Sequence, residues 1–63
     1  MIEYKDFVLI DSEVYQVTND CTEVDTKNDY ELTNVENEND RFWVSLPEAR
    51  LKLENEWQII EIT

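Results

Sequence analysis

The chain has 63 residues, with 16 Asp and Glu against 5 Lys and Arg for a net charge of -11, no His, no Gly, one Cys and one Pro. These counts exclude a second domain, a histidine general base or metal ligand, a disulfide framework and a cysteine-based zinc site. No apolar run approaches the roughly 18 residues that cross a bilayer, no charged-then-apolar signal segment begins the sequence, and the excess acid repels nucleic acid and anionic lipid.

Phe7-Val8-Leu9-Ile10 is the first apolar run, β-branched and aromatic as strands prefer. Val14-Tyr15-Gln16-Val17-Thr18 alternates as its partner, and Asp11-Ser12-Glu13 between them predicts a tight hairpin. With no glycine available, Asp, Asn and Ser must supply any positive φ in such turns. From Asn19 to Asn28 only Cys21 and Val24 are apolar, which predicts a loop or a poorly covered edge strand. Tyr30 to Val35 resumes a period-two pattern with Tyr30 and Leu32 on one face. Glu36 to Asp40 is a polar turn, and Arg41-Phe42-Trp43-Val44-Ser45 is the answering strand. Ser45-Leu46-Pro47-Glu48-Ala49 carries a helix-start signal, and the spacing predicts a single 3₁₀ turn near residues 46–49. Leu51 and Leu53 follow at period two, and Trp57 to Ile62 closes the chain as a last strand.

High net charge is a mark of disorder, but 41% apolar and 11% aromatic residues in so short a chain supply a core. The expected state is a folded domain strained by self-repulsion, with stability that rises as salt screens its charges. Five short strands and one helical turn predict a single all-β or mainly β domain over residues 1–63, in an antiparallel barrel or sandwich. The order of elements resembles an SH3-like barrel of the Tudor or KOW type. The resemblance rests on the Lys5-Asp6-Phe7-Val8-Leu9-Ile10 opening strand, its hairpin mate, a central pair joined by a tight loop, and Ser45-Leu46-Pro47-Glu48 before a closing strand. It spans roughly residues 4–53 and implies a small five- to six-stranded antiparallel barrel, with residues 54–63 as an added strand.

The charge is not evenly spread. Residues 19–40 hold Asp20, Glu23, Asp25, Asp29, Glu31, Glu36, Glu38 and Asp40 against Lys27 alone, so seven of the eleven net negative charges lie in this stretch. Many of these acids stand two residues apart, and in an extended chain that places them on one face at about 6.6–6.8 Å. The step approximates the phosphate spacing of a nucleic-acid strand, roughly twice the 3.4 Å rise per strand. The eight carboxylates are therefore the candidate charged face toward a Lys- and Arg-lined groove, with Trp43 as the candidate aromatic anchor. A solvated face that only keeps the chain soluble is the plainer alternative, but -11 exceeds the magnitude of about 2–8 that solubility needs in a small domain.

Other chemistries fit less well. A 63-residue barrel has little room for a sugar cleft between paired carboxylates. The segment Asp25-Thr26-Lys27-Asn28-Asp29-Tyr30 lacks the glycine of an EF-hand loop and has no helix to either side. Cys21 sits beside Asp20, where like charge disfavours its thiolate, and a solitary thiol suits a reducing cytoplasm. The chain is expected to be no enzyme and to need no cofactor or metal.

Small, acidic, single-domain composition of this kind resembles the host-takeover and anti-defence inhibitors of bacteriophages, which mimic nucleic acid. That resemblance implies inhibition of a basic nucleic-acid-binding host protein such as a nuclease, a polymerase, a histone-like protein or a defence protein, within the cytoplasm of a bacterial host. It implies no direct contact with nucleic acid or membrane, and leaves monomer and homodimer open. The second reading is an SH3- or Tudor-like adaptor that binds a peptide or basic tail through aromatics such as Tyr15, Tyr30 and Trp43. The third is a structural domain whose charge serves solubility alone.

Overall fold

The computed structural model describes residues 2–22 and 28–62. The first apolar run forms strand β1 (Phe7–Ile10), which pairs antiparallel with β2 (Glu13–Thr22) in the register Leu9↔Val14 and Ile10↔Glu13. Two residues join them. Asp11 has φ 49° and Ser12 φ 70°, both in the left-handed region that a type I′ hairpin turn demands of its two central residues. Asp tolerates this better than most, while Ser pays a steric cost that glycine would not.

Strand β3 (Asn28–Asn34) lies against β2, with Val17 opposite Leu32 and Asp20 opposite Tyr30. The expected loop or edge strand over residues 19–28 is, through Thr22, a continuation of β2, made irregular by a register shift between Val17 and Asn19, while residues 23–27 lie outside the described residues. Thr18 occupies the shift, and its hydroxyl meets Thr33 Oγ1 at 2.7 Å and donates to the Glu31 carbonyl at 3.4 Å. A turn at Val35 and Glu36 leads to β4 (Asn37–Ser45), which starts earlier than the polar sequence predicts. Its register is irregular there, because Thr33 pairs with Arg41 but Asn34 pairs with Asn37.

The expected 3₁₀ turn at 46–49, followed by a period-two segment, is corrected to a ten-residue α-helix, α1 (Leu46–Asn55). Ser45 is its N-cap and accepts a hydrogen bond from the Glu48 backbone N–H at 3.3 Å, while Pro47 in the first turn gives up only an amide that has no intrahelical partner. Leu46, Ala49 and Leu53 fall on one helical face at i, i+3 and i+7, and all three pack into the core, whereas Leu51 is 60% exposed. Helical spacing, not period two, explains these leucines. The last strand, β5, is shorter than expected (Gln58–Ile60) and pairs antiparallel with β1.

The described residues are thus mainly β, with five antiparallel strands in one sheet of order β4-β3-β2-β1-β5. The sheet is open and does not close into a barrel, since β4 and β5 stand at opposite edges. Helix α1 covers the face that barrel closure would have turned inward, packing against β3 and β4. That inner face carries Val8, Tyr15, Val17, Tyr30, Leu32 and Val44, sealed by Ile2, Ala49 and Trp57. Phe42 bridges two aromatics edge-on, with ring centroids 5.6 Å from Tyr15 and 5.9 Å from Trp57. Each such pair contributes about 0.5–1.5 kcal/mol beyond area burial.

Candidate partner-binding site

An antiparallel meander sends successive turns to alternate ends of the sheet. The β1–β2 turn at 11–12 and the β3–β4 turn at 35–36 therefore share one end, and the Val35 N–H donates to the Val14 carbonyl at 3.0 Å to lock them together. Thr22 and Asn28, the facing ends of β2 and β3, lie at the other end. Apart from Glu31 in mid-strand, the described acids of the 19–40 stretch are accordingly divided between two ends about 20 Å apart, the span of a seven-residue strand.

Six of the eight candidate carboxylates can be placed on this plan. Asp20 is exposed on β2, opposite Tyr30. Glu23 and Asp25 lie outside the described residues. Asp29 is in β3 opposite Ser45, at the same end as Asp20. Glu31 lies mid-strand on the outer face, where its side chain is only 17% exposed and its carboxylate is 3.9 Å from the Arg41 guanidinium. Glu36 and Glu38 are exposed at the two-turn end. Asp40 is turned onto the inner face and is largely engaged inside the fold. Although two residues apart, Glu36, Glu38 and Asp40 do not form a straight row, because a turn and the irregular register intervene. Trp43 is 49% exposed on the outer face, directly opposite Glu31.

Asp40 belongs to a hydrogen-bonded cluster that organises the two-turn end. The Tyr15 hydroxyl donates to Asp40 Oδ2 at 2.6 Å. Asn34, which is 4% exposed, donates through Nδ2 to Glu13 Oε1 at 2.8 Å and to Asp40 Oδ2 at 3.2 Å. Its Oδ1 accepts from the Glu36 N–H at 2.8 Å, so one buried amide ties two carboxylates to the turn. The hydrogen bond to Asp40, with burial behind it, holds the Tyr15 hydroxyl above the usual tyrosine value of 10.0, because a phenolate there would face the carboxylate. Tyr30 is also pushed up, first by burial and then by the charge of Asp20.

Sequence spacing did not reveal Asp11 and Glu13 as members of this cluster. The signal was available only through topology, since pairing two hairpins side by side brings turn 11–12 beside turn 35–36. Residues 11–13 and 34–40 then supply five carboxylates (Asp11, Glu13, Glu36, Glu38, Asp40) with no Lys or Arg among them. The three other aromatics of an adaptor reading are separated: Tyr15 and Tyr30 are buried on the inner face and Trp43 stands on the outer one. No group of three or more potential metal ligands is found among the described residues, and no helix is long and apolar enough to cross a membrane. No protein-family model, no curated protein and no solved structure matches this chain.

Proposed function

We propose that this protein is an acidic mimic of nucleic acid that occupies the basic site of a nucleic-acid-binding protein and so inhibits it, in the manner of a bacteriophage host-takeover factor. The observation that carries the reading is the two-turn end, where five carboxylates are gathered from two segments without a compensating cation in those segments. Fixed negative charge on a rigid scaffold suits a Lys- and Arg-lined groove, because the carboxylates are already positioned and need little ordering on binding. Asp40 and Glu13 act here as supports, held by Asn34, while Asp11, Glu36 and Glu38 project the charge. Asp20 and Asp29 add to the field from the opposite end.

The test is competition. Basic proteins retained from a bacterial lysate on the immobilised protein at low salt should be released by duplex DNA and by moderate salt. The triple variant D11N/E36Q/E38Q, which leaves the Asn34 cluster untouched, should retain at least tenfold less. Retention that ignores both salt and these three charges refutes the reading. A second reading is favoured by one observation, the half-exposed Trp43: an adaptor would lose binding on Trp43→Ala and keep it in the triple variant.

A further inference from the structure

The register places a row of apolar side chains on the sheet face that α1 does not cover. Ile60 lies opposite Phe7, and Leu9 lies opposite Val14 one step along on the same face. Val35 adjoins Val14 through the N–H to carbonyl bond that joins the two turns, and it is 51% exposed. None of the five belongs to the core, whose strand residues are Val8, Tyr15, Val17, Tyr30, Leu32 and Val44. The patch runs from β5 over β1 and β2 to the β3–β4 turn, about 14 Å at three inter-strand steps. Beyond it the outer face turns polar, with Gln16, Thr33 and Arg41 completing the Phe7 row.

Sheets with one solvated face normally alternate apolar in and polar out. Here both faces of β1 are apolar, since Phe7 and Leu9 look out as Val8 and Ile10 look in. The patch also runs into the acidic end, because Val35 is followed by Glu36 and Leu9 lies one residue before the pair that flanks Asp11. An apolar surface bordered by carboxylates fits a segment whose own apolar side chains are bordered by Lys and Arg.

We propose that this outer face docks a basic amphipathic helix of the partner protein, with the helix's apolar side on Phe7, Leu9, Val14, Val35 and Ile60 and its cations on Asp11, Glu36 and Glu38. The inference rests on the acidic-mimic reading and adds to it that the partner is held by apolar contact as well as charge. A helix about 10 Å wide lies within the patch. A second copy of the chain is the wrong occupant, since it would bring another -11 against the first. An anionic membrane is disfavoured for the same reason.

The experiment titrates the ¹⁵N-labelled protein with two probes at low salt: an 18-residue amphipathic Leu/Lys helical peptide, and an oligolysine of equal charge. The expected result is at least tenfold tighter binding of the amphipathic peptide, with amide shifts at Phe7, Leu9, Val14, Val35 and Ile60. Val14→Thr/Val35→Thr, which keeps β-branched residues at both positions, should erase that advantage and leave oligolysine binding unchanged, with an unaltered spectrum confirming the fold. Equal affinity for the two probes, with shifts confined to residues 11 and 36–38, overturns the apolar docking face and leaves the charge reading standing. Binding of neither probe overturns both. Patch shifts that depend on protein concentration without any probe overturn the proposal in favour of a second copy.

Discussion

Asn34→Ala is the substitution that most directly tests how the two-turn end is built. The side chain is 4% exposed and makes three hydrogen bonds, two of them to carboxylates. Hydrogen bonds to charged groups contribute about 1.5–3 kcal/mol when desolvated and neutral ones about 1. The full values do not apply here. Glu13 and Glu36 are exposed, so water replaces much of what they lose, and Asp40 keeps its bond from Tyr15. Discounted in this way, the change costs about 2–3 kcal/mol in total, most of it at Asp40 and from the closer approach of two carboxylates without a bridging amide. In a domain of this size that is a fall of roughly 10–20 °C in Tm. Thermal and urea unfolding followed by tryptophan fluorescence reads it, with the m-value unchanged if only the native cluster is affected. Asn34→Asp should be worse still near neutral pH, and should recover as acid returns a proton that can be donated to a neighbour. A drop under about 3 °C for Asn34→Ala, in a protein that still folds, would mean that this amide does not organise the end.

Ser12→Gly should stabilise by about 0.5–1 kcal/mol, because glycine accepts φ 70° without the Cβ clash while adding some freedom to the unfolded chain; a lower urea midpoint would contradict it. Ser45→Ala removes the cap of α1 and should cost about 1 kcal/mol, seen in urea titration and in early loss of the helical circular-dichroism signal. Tyr15 and Tyr30 both hold their protons more tightly in the fold than in the unfolded chain. Their contribution to stability is therefore complete below the ordinary value of 10.0 and is lost as pH rises through their higher folded values. Tm should fall above about pH 10, and less steeply in Tyr15→Phe. Across 20 to 300 mM NaCl the wild-type Tm should rise as the self-repulsion of -11 charges is screened; a flat or falling curve would mean that ion pairs outweigh repulsion.

The first hairpin was legible because pattern and turn chemistry agreed: two apolar strands and a two-residue Asp-Ser connection leave few alternatives. The helix was not, and the reason lies in two residues. Leu51 and Leu53 mimic a strand by their spacing, yet Leu53 belongs with Leu46 and Ala49 on a helical face while Leu51 is exposed. The absence of any β-branched residue from Leu46 to Asn55, together with a Ser-x-x-Glu start, was the cue that outweighed it. That error also governed the barrel expectation, since a single turn leaves a sheet face to be closed by curling and a ten-residue helix covers it outright. For the candidate site, sequence located the acid but not its sorting. Which carboxylates become supports, as Asp40 does, depends on the irregular register at Asn34 and Asn37, which no spacing in the sequence encodes.

The sheet order has a consequence for how the molecule opens. Strand β1 comes first in the sequence but lies inside the sheet, and its outer neighbour is β5, whose Ile60 meets Phe7 across more than fifty intervening residues. That seam consists of three register pairs, against seven between β2 and β3. Closing it orders nearly the whole chain, so the locally connected meander from β1 to β4 forms at lower entropic cost and the seam forms last. In the native state the order reverses. The β1–β5 seam is the cheapest sub-global opening, and its backbone amides exchange with solvent sooner than those of β2 and β3. Each such event bares one side of β1 as a fresh hydrogen-bonding edge, which makes the seam, besides the long edge strand β4, a place where a foreign strand could be admitted.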